Sequence, residues 1–209
     1  MIVIGNDAAW GGWGLAICRA SGPIATGHVV LGRRVRRWQA LAAECHAEGG
    51  LLVDAIARAR REAAGGEPIR AFVEAAARVA PRGSDGRKIA AGSRTASGLG
   101  EITGPILVAS ALHLGTEPWS HDAGVWRSWW GISGGDRAAK KARAVALVRS
   151  LGWGAHLDPW SATGRDGGKR ADVAEAILMG VGAAKWPERA EVPRAKRDEA
   201  KSRNRRRYG

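Results

Sequence analysis

Three short apolar runs open the chain, and each is separated from the next by Gly, Ser or Pro residues. β-Branched and aliphatic residues in such runs favour strands, and the residues between them favour turns. The pattern predicts strands at 2–6, 13–20 and 25–31. Because connections this short join antiparallel neighbours, the three strands should form an antiparallel meander.

Helical spacing of apolar residues begins after the third strand. Positions 38–64 are rich in Ala, Leu and Arg and end at a Gly-Gly pair, which predicts one helix. Further strands are predicted at Ile69–Glu74 and 118–120. A helix over 89–114 should be broken, because it contains several glycines and Pro105. A basic helix capped by Asp136 and a last helix over 171–184 complete an α/β domain with a mixed sheet.

The composition changes after Trp186. Two prolines and a run of Lys and Arg over 201–207 predict a disordered basic tail at 187–209, following a folded domain at 1–186. Such a tail can add phosphate contacts, or it can be a solvated terminus without a role. The sequence leaves both readings open.

Charge identifies the class of partner. The formal net charge is +13 and the pI is about 11.1, an excess that indicates a polyanionic partner, most simply nucleic acid. The two cysteines form no metal-binding spacing or disulfide framework, which favours a reducing compartment. A strand directly follows Met1, and no apolar run is long enough to span a bilayer, so we expect a cytoplasmic protein without a membrane partner.

Four carboxylates carry the candidate chemistry. Asp7 and Glu74 end two neighbouring apolar strands, and Asp172 and Glu175 lie three residues apart on one side of the last helix. That helix is apolar on nearly every face and should be buried. Buried carboxylates lose hydration and repel one another, so one takes up a proton or a cation neutralises them.

Oxygen ligands in such a group suit two Mg²⁺ or Mn²⁺ ions. Two ions of this kind can clamp a phosphodiester, activating water and stabilising the leaving oxygen. The surrounding cations would hold the nucleic acid, although a solvated basic helix face is the alternative for several of them. The residues that we expect to contact phosphates are Arg82, Arg87, Lys88, Arg127, Arg137, Lys140, Lys141, Lys169 and Arg170.

The ordered set of acids and their flanks resembles the RuvC-type Holliday junction resolvases of the ribonuclease H-like superfamily. The matching pieces are Ile-Gly-Asn-Asp7 before Gly-x-Gly-Leu, Phe-Val-Glu74, the 125–136 segment before a basic helix, and Asp172-x-x-Glu175-Ala. The resemblance implies a five-stranded mixed sheet flanked by helices, with the first three strands antiparallel. It also implies metal ligands at the four acids and a homodimer that cuts four-way junctions to leave 5′-phosphates. The compact size and basic tail are similar to those of phage members.

Two features depart from the family pattern. The last acid is usually Asp and here is Glu175, whose longer side chain should shift the metal and its preference. The loop over 82–88 has no aromatic residue to stack in an opened junction, so we expect a broader preference for branched DNA.

Two other functions fit parts of the sequence. A non-catalytic nucleic-acid binder would keep its DNA affinity in EDTA and cut nothing. A sugar-kinase or actin-type ATPase also begins with a strand ending in Asp before glycines. That class needs a second glycine-rich phosphate loop, of which 121–124 is a poor version, and a charge of +13 does not suit it.

Overall fold

The structure is a computed structural model that describes residues 1–8, 11–31, 34–75, 90–162 and 168–191. Its strands are β1 (Ile2–Ala8), β2 (Trp13–Arg19), β3 (Gly22–Val29), β4 (Ile69–Glu74) and β5 (Trp119–His121). Its helices are α1 (Arg34–His46), α2 (Leu51–Glu62), α3 (Ala90–Leu114), α4 (Ala123–Trp129), α5 (Arg137–Ser150), α6 (Gly168–Lys185) and α7 (Pro187–Ala190).

One five-stranded sheet runs in the order β3-β2-β1-β4-β5. β1 pairs antiparallel with β2, and β2 with β3, while β4 lies parallel to both β1 and β5. The predicted mixed sheet, with its first three strands antiparallel, is confirmed. Because β1 and β4 are parallel neighbours, Asp7 and Glu74 both lie near the carboxyl edge of the sheet centre.

Side chains of the central strands alternate between two cores, as the pleat requires. Ile2 and Ile4 pack on the side of α1, α2 and α3. Val3 and Phe72 pack on the side of α5 and α6. By the same alternation, Asp7 and Glu74 face the α6 side. Asp172 and Glu175 lie on that helix.

Glycines on β1 and β2 let α6 lie close against the sheet. A Cβ added at Gly5 would lie 2.2 Å from the carbonyl oxygen of Ala176, and one at Gly14 would lie 2.6 Å from that of Asp172. Gly14 is also the register partner of Asp7. The glycine on β2 therefore leaves the space into which the Asp172 backbone fits, beside Asp7.

We expect Gly5→Ala to destabilise the protein by about 1–3 kcal/mol, because the added methyl group meets helix backbone that cannot move aside locally. Urea unfolding measures the change. Gly11→Ala is the matched control, since a Cβ at Gly11 meets nothing within 4 Å. Equal losses in both variants would contradict the close packing of α6 on β1.

The prediction of one helix over 38–64 is wrong, since α1 and α2 are separate. Gly49 takes a φ of +77°, which favours glycine, and a Cβ at Gly50 would lie 2.4 Å from the carbonyl oxygen of Ala43. The Glu44 carboxylate accepts a hydrogen bond from the backbone N–H of Leu51 at 2.7 Å. This bond satisfies an otherwise free donor at the start of α2.

The predicted break over 89–114 is also wrong, because α3 is one helix with Pro105 inside it. Proline removes one backbone hydrogen bond. The buried residues Ile102, Ile106 and Ala109 pack into the core on both sides of Pro105, and this burial outweighs the lost bond.

The predicted tail begins with a folded turn. α7 covers Pro187–Ala190, Ala190 is buried, and its carbonyl oxygen lies 2.7 Å from His121 Nε2. Residues 192–209 lie outside the described part of the chain, so disorder there stays a prediction. No helix in the described part is both long and apolar enough to cross a membrane.

Candidate active site

The four predicted acids lie close together, and three of them surround the ammonium group of Lys141. This side chain from α5 is 4% exposed. Its Nζ donates to Asp172 Oδ1, lies 3.6 Å from Glu175 Oε2 and lies 4.0 Å from Asp7 Oδ2. Residues far apart in the sequence therefore converge, as the prediction of a shared carboxylate pocket requires.

Arg127 is a second internal cation. It extends from α4, and its Nε donates to Glu175 Oε1 at 3.0 Å, with its Nη2 bound to the same oxygen. Its guanidinium also lies over the Trp126 ring, 4.9 Å from the centroid. Lys141 and Arg127 therefore face the carboxylates, whereas the sequence analysis placed them on a phosphate-contacting surface.

These two cations do not satisfy all of the carboxylate oxygens. Asp7 Oδ2 and Glu175 Oε2 are buried and have no hydrogen-bond partner among the described residues. Burial raises the pKa of Asp7 well above its ordinary value, and the charge of Glu175 raises it further, although Lys141 opposes both. Without a further cation, the cluster therefore favours a protonated Asp7.

Glu74 is held by the indole of Trp126, whose Nε1–H donates to Glu74 Oε2 at 2.9 Å. Burial raises the pKa of Glu74 to about 7, and the charge of Glu175 adds to the rise. Trp126 is fully buried, and its polar indole N–H belongs to the site.

The raised pKa of Glu74 predicts a pH dependence of the metal-free protein. Between the ordinary value and about 7, the folded state holds a proton that the unfolded state has lost, so stability falls as pH rises. Glu74→Gln removes this titrating group and its contribution to the pH dependence of stability. Its stability relative to the parent should rise by on the order of 1–3 kcal/mol from pH 5 to pH 8.

Thermal unfolding in EDTA at both pH values tests this expectation. The control is Glu101→Gln on α3, at an exposed position. A Glu74→Gln variant whose difference from the parent is the same at pH 5 and pH 8 would show that Glu74 titrates normally.

Asp172 has two partners, one on each oxygen. Lys141 binds Oδ1, and His28 Nε2 lies 3.1 Å from Oδ2. Burial raises the pKa of Asp172, but the hydrogen bond from His28 and the charge of Lys141 outweigh it and leave the pKa below its ordinary value. The sequence analysis did not find His28, which lies in the middle of the predicted strand 25–31 and has no ligand spacing to mark it.

The remaining predicted DNA contacts have different surroundings. Arg137 and Lys169 are exposed, and Lys140 is partly exposed. Arg170 is partly buried, and its Nε donates to the carbonyl oxygen of Trp160 at 3.0 Å. Arg82, Arg87 and Lys88 lie outside the described residues. The role of all these side chains in DNA binding stays a prediction.

The donor chemistry suits hard divalent cations, because Asp7 Oδ2 and Glu175 Oε2 are carboxylate oxygens. Both are buried without a hydrogen-bond partner among the described residues, and Lys141 Nζ lies 4.0 and 3.6 Å away, which leaves ligand capacity. As they stand, however, no three His, Cys, Asp or Glu side chains of the described residues are arranged to hold a metal ion. The ammonium of Lys141 occupies the centre of the group instead.

Comparison with protein-family models and with curated proteins finds no match. Among solved structures, the chain is similar to Thermus thermophilus RuvC in complex with a Holliday junction substrate, with a TM-score of 0.54 and 15% identity over 90% of this chain and 95% of that one. A second Thermus thermophilus RuvC structure is 16% identical over 90% and 96%, with a TM-score of 0.49. The first likeness shows the class of fold, which is ribonuclease H-like. Within that class, the chain has the fold of RuvC, as the sequence resemblance predicted.

Proposed function

We propose that the protein is a divalent-metal-dependent endonuclease that cuts branched DNA, with four-way junctions as its main substrate. The observation that carries the proposal is the convergence of Asp7, Glu74, Asp172 and Glu175 in one buried pocket of a strongly basic chain. The likeness to a RuvC structure solved with a Holliday junction supports the substrate class. We further propose that the protein acts as a homodimer in the cytoplasm and leaves 5′-phosphate ends.

In this proposal the four carboxylates hold two Mg²⁺ or Mn²⁺ ions, which supply water activation and stabilisation of the leaving oxygen when bound. The residues of the chain prepare that site. Trp126 holds Glu74, and Arg127 holds Glu175. Lys141 neutralises the acids in the metal-free protein, and beside a bound phosphate its ammonium would stabilise negative charge.

A second candidate function has one observation in its favour. Lys141 and Arg127 already pair with three of the four acids, so the pocket could be a structural ion-pair network in a non-catalytic DNA-binding protein. Two buried oxygens without a hydrogen-bond partner argue against this reading, because Lys141 meets them only at 3.6 and 4.0 Å and a network built for stability satisfies its members.

Cleavage of a panel of DNAs tests the proposal. The panel holds a four-way junction, a flap, a linear duplex and a single strand, each incubated with Mg²⁺, Mn²⁺ or EDTA. We expect metal-dependent cutting that is fastest on the junction, at symmetric positions, with products that a ligase reseals without phosphorylation. Junction binding without cutting in either metal would favour the non-catalytic function.

The basic tail should contribute to DNA affinity. Deleting 192–209 keeps α7 and removes many Lys and Arg side chains, so binding should weaken and its dependence on salt should become less steep. Catalysis at high enzyme concentration should persist. Junction affinity measured at several salt concentrations checks this, and equal salt slopes for both forms would reject a DNA-binding role for the tail.

A further inference from the structure

His28 lies on the same row of the sheet as Asp7. Asp7 is paired with Gly14 on β2, and Gly14 is paired with His28 on β3. Register partners in antiparallel strands project to the same face. Asp7 and His28 therefore flank Gly14 on the α6 side, two strands apart.

Asp172 lies on α6, which packs over this row of residues. Its backbone lies over Gly14, where a Cβ would come within 2.6 Å of the Asp172 carbonyl. The carboxylate thus sits between the acid of β1 and the imidazole of β3. The position of the Asp172 side chain therefore depends on α6 and on the strands β2 and β3 beneath it.

The imidazole is enclosed as well as close. The His28 side chain is 2% exposed, and its Nε2 lies 3.1 Å from Asp172 Oδ2. A carboxylate can only accept here, so Nε2–H is the donor. A hydrogen bond of this kind, in a buried place, fixes the orientation of the carboxylate that accepts it.

We propose that His28 is a positioning residue for the metal site: its N–H holds Asp172 Oδ2 and thereby directs Oδ1 to the centre of the acid cluster. The contact of Lys141 with Oδ1 marks the position at which a cation meets this oxygen. Asp172 then offers one oxygen to a divalent ion, with its second oxygen already engaged. This inference rests on the proposed function, because it assumes that the acids bind metal.

Hydrogen bonds that orient ligating carboxylates contribute substantially to metal affinity, and their loss typically costs 10–100-fold. His28→Met removes the donor and keeps an unbranched side chain of similar length. His28→Gln places an amide N–H near the position of Nε2 and should restore the bond. Comparing these two variants separates donation from volume.

The experiment measures Mn²⁺ affinity of the full chain by electron paramagnetic resonance and calorimetry at a fixed pH of 8, without DNA. We expect His28→Met to bind Mn²⁺ about 10–100-fold more weakly than the parent. His28→Gln should stay within about threefold of the parent. His46→Met, at an exposed position on α1, is the control and should match the parent.

Each outcome has a distinct meaning. A parent protein that binds no Mn²⁺ would overturn the proposed function, and the inference with it. A parent that binds Mn²⁺ while His28→Met binds equally well would overturn the inference alone, as would a tenfold loss in His28→Gln. If His28→Met does not fold, His28→Leu takes its place as the variant without a donor, with the same outcomes.

Discussion

Asp7→Asn should abolish cleavage of a synthetic four-way junction, with a loss of at least about 100-fold, while junction binding stays unchanged or tightens. As a proposed direct metal ligand, Asp7 should matter at least as much as an outer hydrogen bond, whose loss already costs 10–100-fold. Binding should not suffer, because a neutral amide at this position repels the phosphate no more than the carboxyl group does. The fold should also persist, since burial and Glu175 already disfavour the charge on Asp7.

Gel-shift affinity and cleavage rates on the same junction measure the two effects separately. Asp54→Asn is the matched control, because Asp54 is an exposed aspartate on α2 outside the site. An Asp7→Asn protein that cuts as fast as the parent would show that the carboxylate pocket is not the catalytic centre.

Lys141→Met should lower the free energy of unfolding of the metal-free protein by about 3–5 kcal/mol, because it leaves buried carboxylates without their central cation. Mg²⁺ should restore part of the loss. A divalent ion that binds only the folded state stabilises it in proportion to the logarithm of its concentration over its Kd. The rescue is the specific result, since a merely structural lysine would not be replaced by a metal.

Urea unfolding at pH 8, in EDTA and in Mg²⁺, measures both parts. The neighbouring Lys140→Met is the control, because Lys140 is partly exposed and lies on the same turn of α5. Equal stability of parent and Lys141→Met in EDTA would show that the acids do not depend on this ammonium. Loss without metal rescue would favour the structural ion-pair network.

Local signals predicted the elements that depend on local physics. Short apolar runs rich in β-branched and aliphatic residues identified the strands, and short turns between them identified the antiparallel meander. The side chain of Asp136 accepts a hydrogen bond from the backbone N–H of Ala139 at 2.8 Å, as expected of a helix cap. The spacing of Asp172 and Glu175 on a helix without a polar face predicted a buried acidic pair.

The errors arose where tertiary contacts override local preference. Pro105 is tolerated because the surrounding helix is held in the core. The break between α1 and α2 depends on a close approach of Gly50 to the carbonyl oxygen of Ala43, which no periodicity shows. Spacing likewise gave Lys141 the same expected role as Lys140, although adjacent helix positions face different surroundings.

By itself, the sequence determined that two acids end apolar strands and two share one side of a buried helix in a basic α/β protein, because burial and charge can be read from pattern. Only the tertiary structure decided what surrounds those acids. Lys141, Arg127, His28 and Trp126 come from three separate elements, α5, α4 and β3, and strand register and helix packing bring them to particular oxygens. Such contacts depend on the relative placement of elements in space, which a linear pattern of residues does not specify.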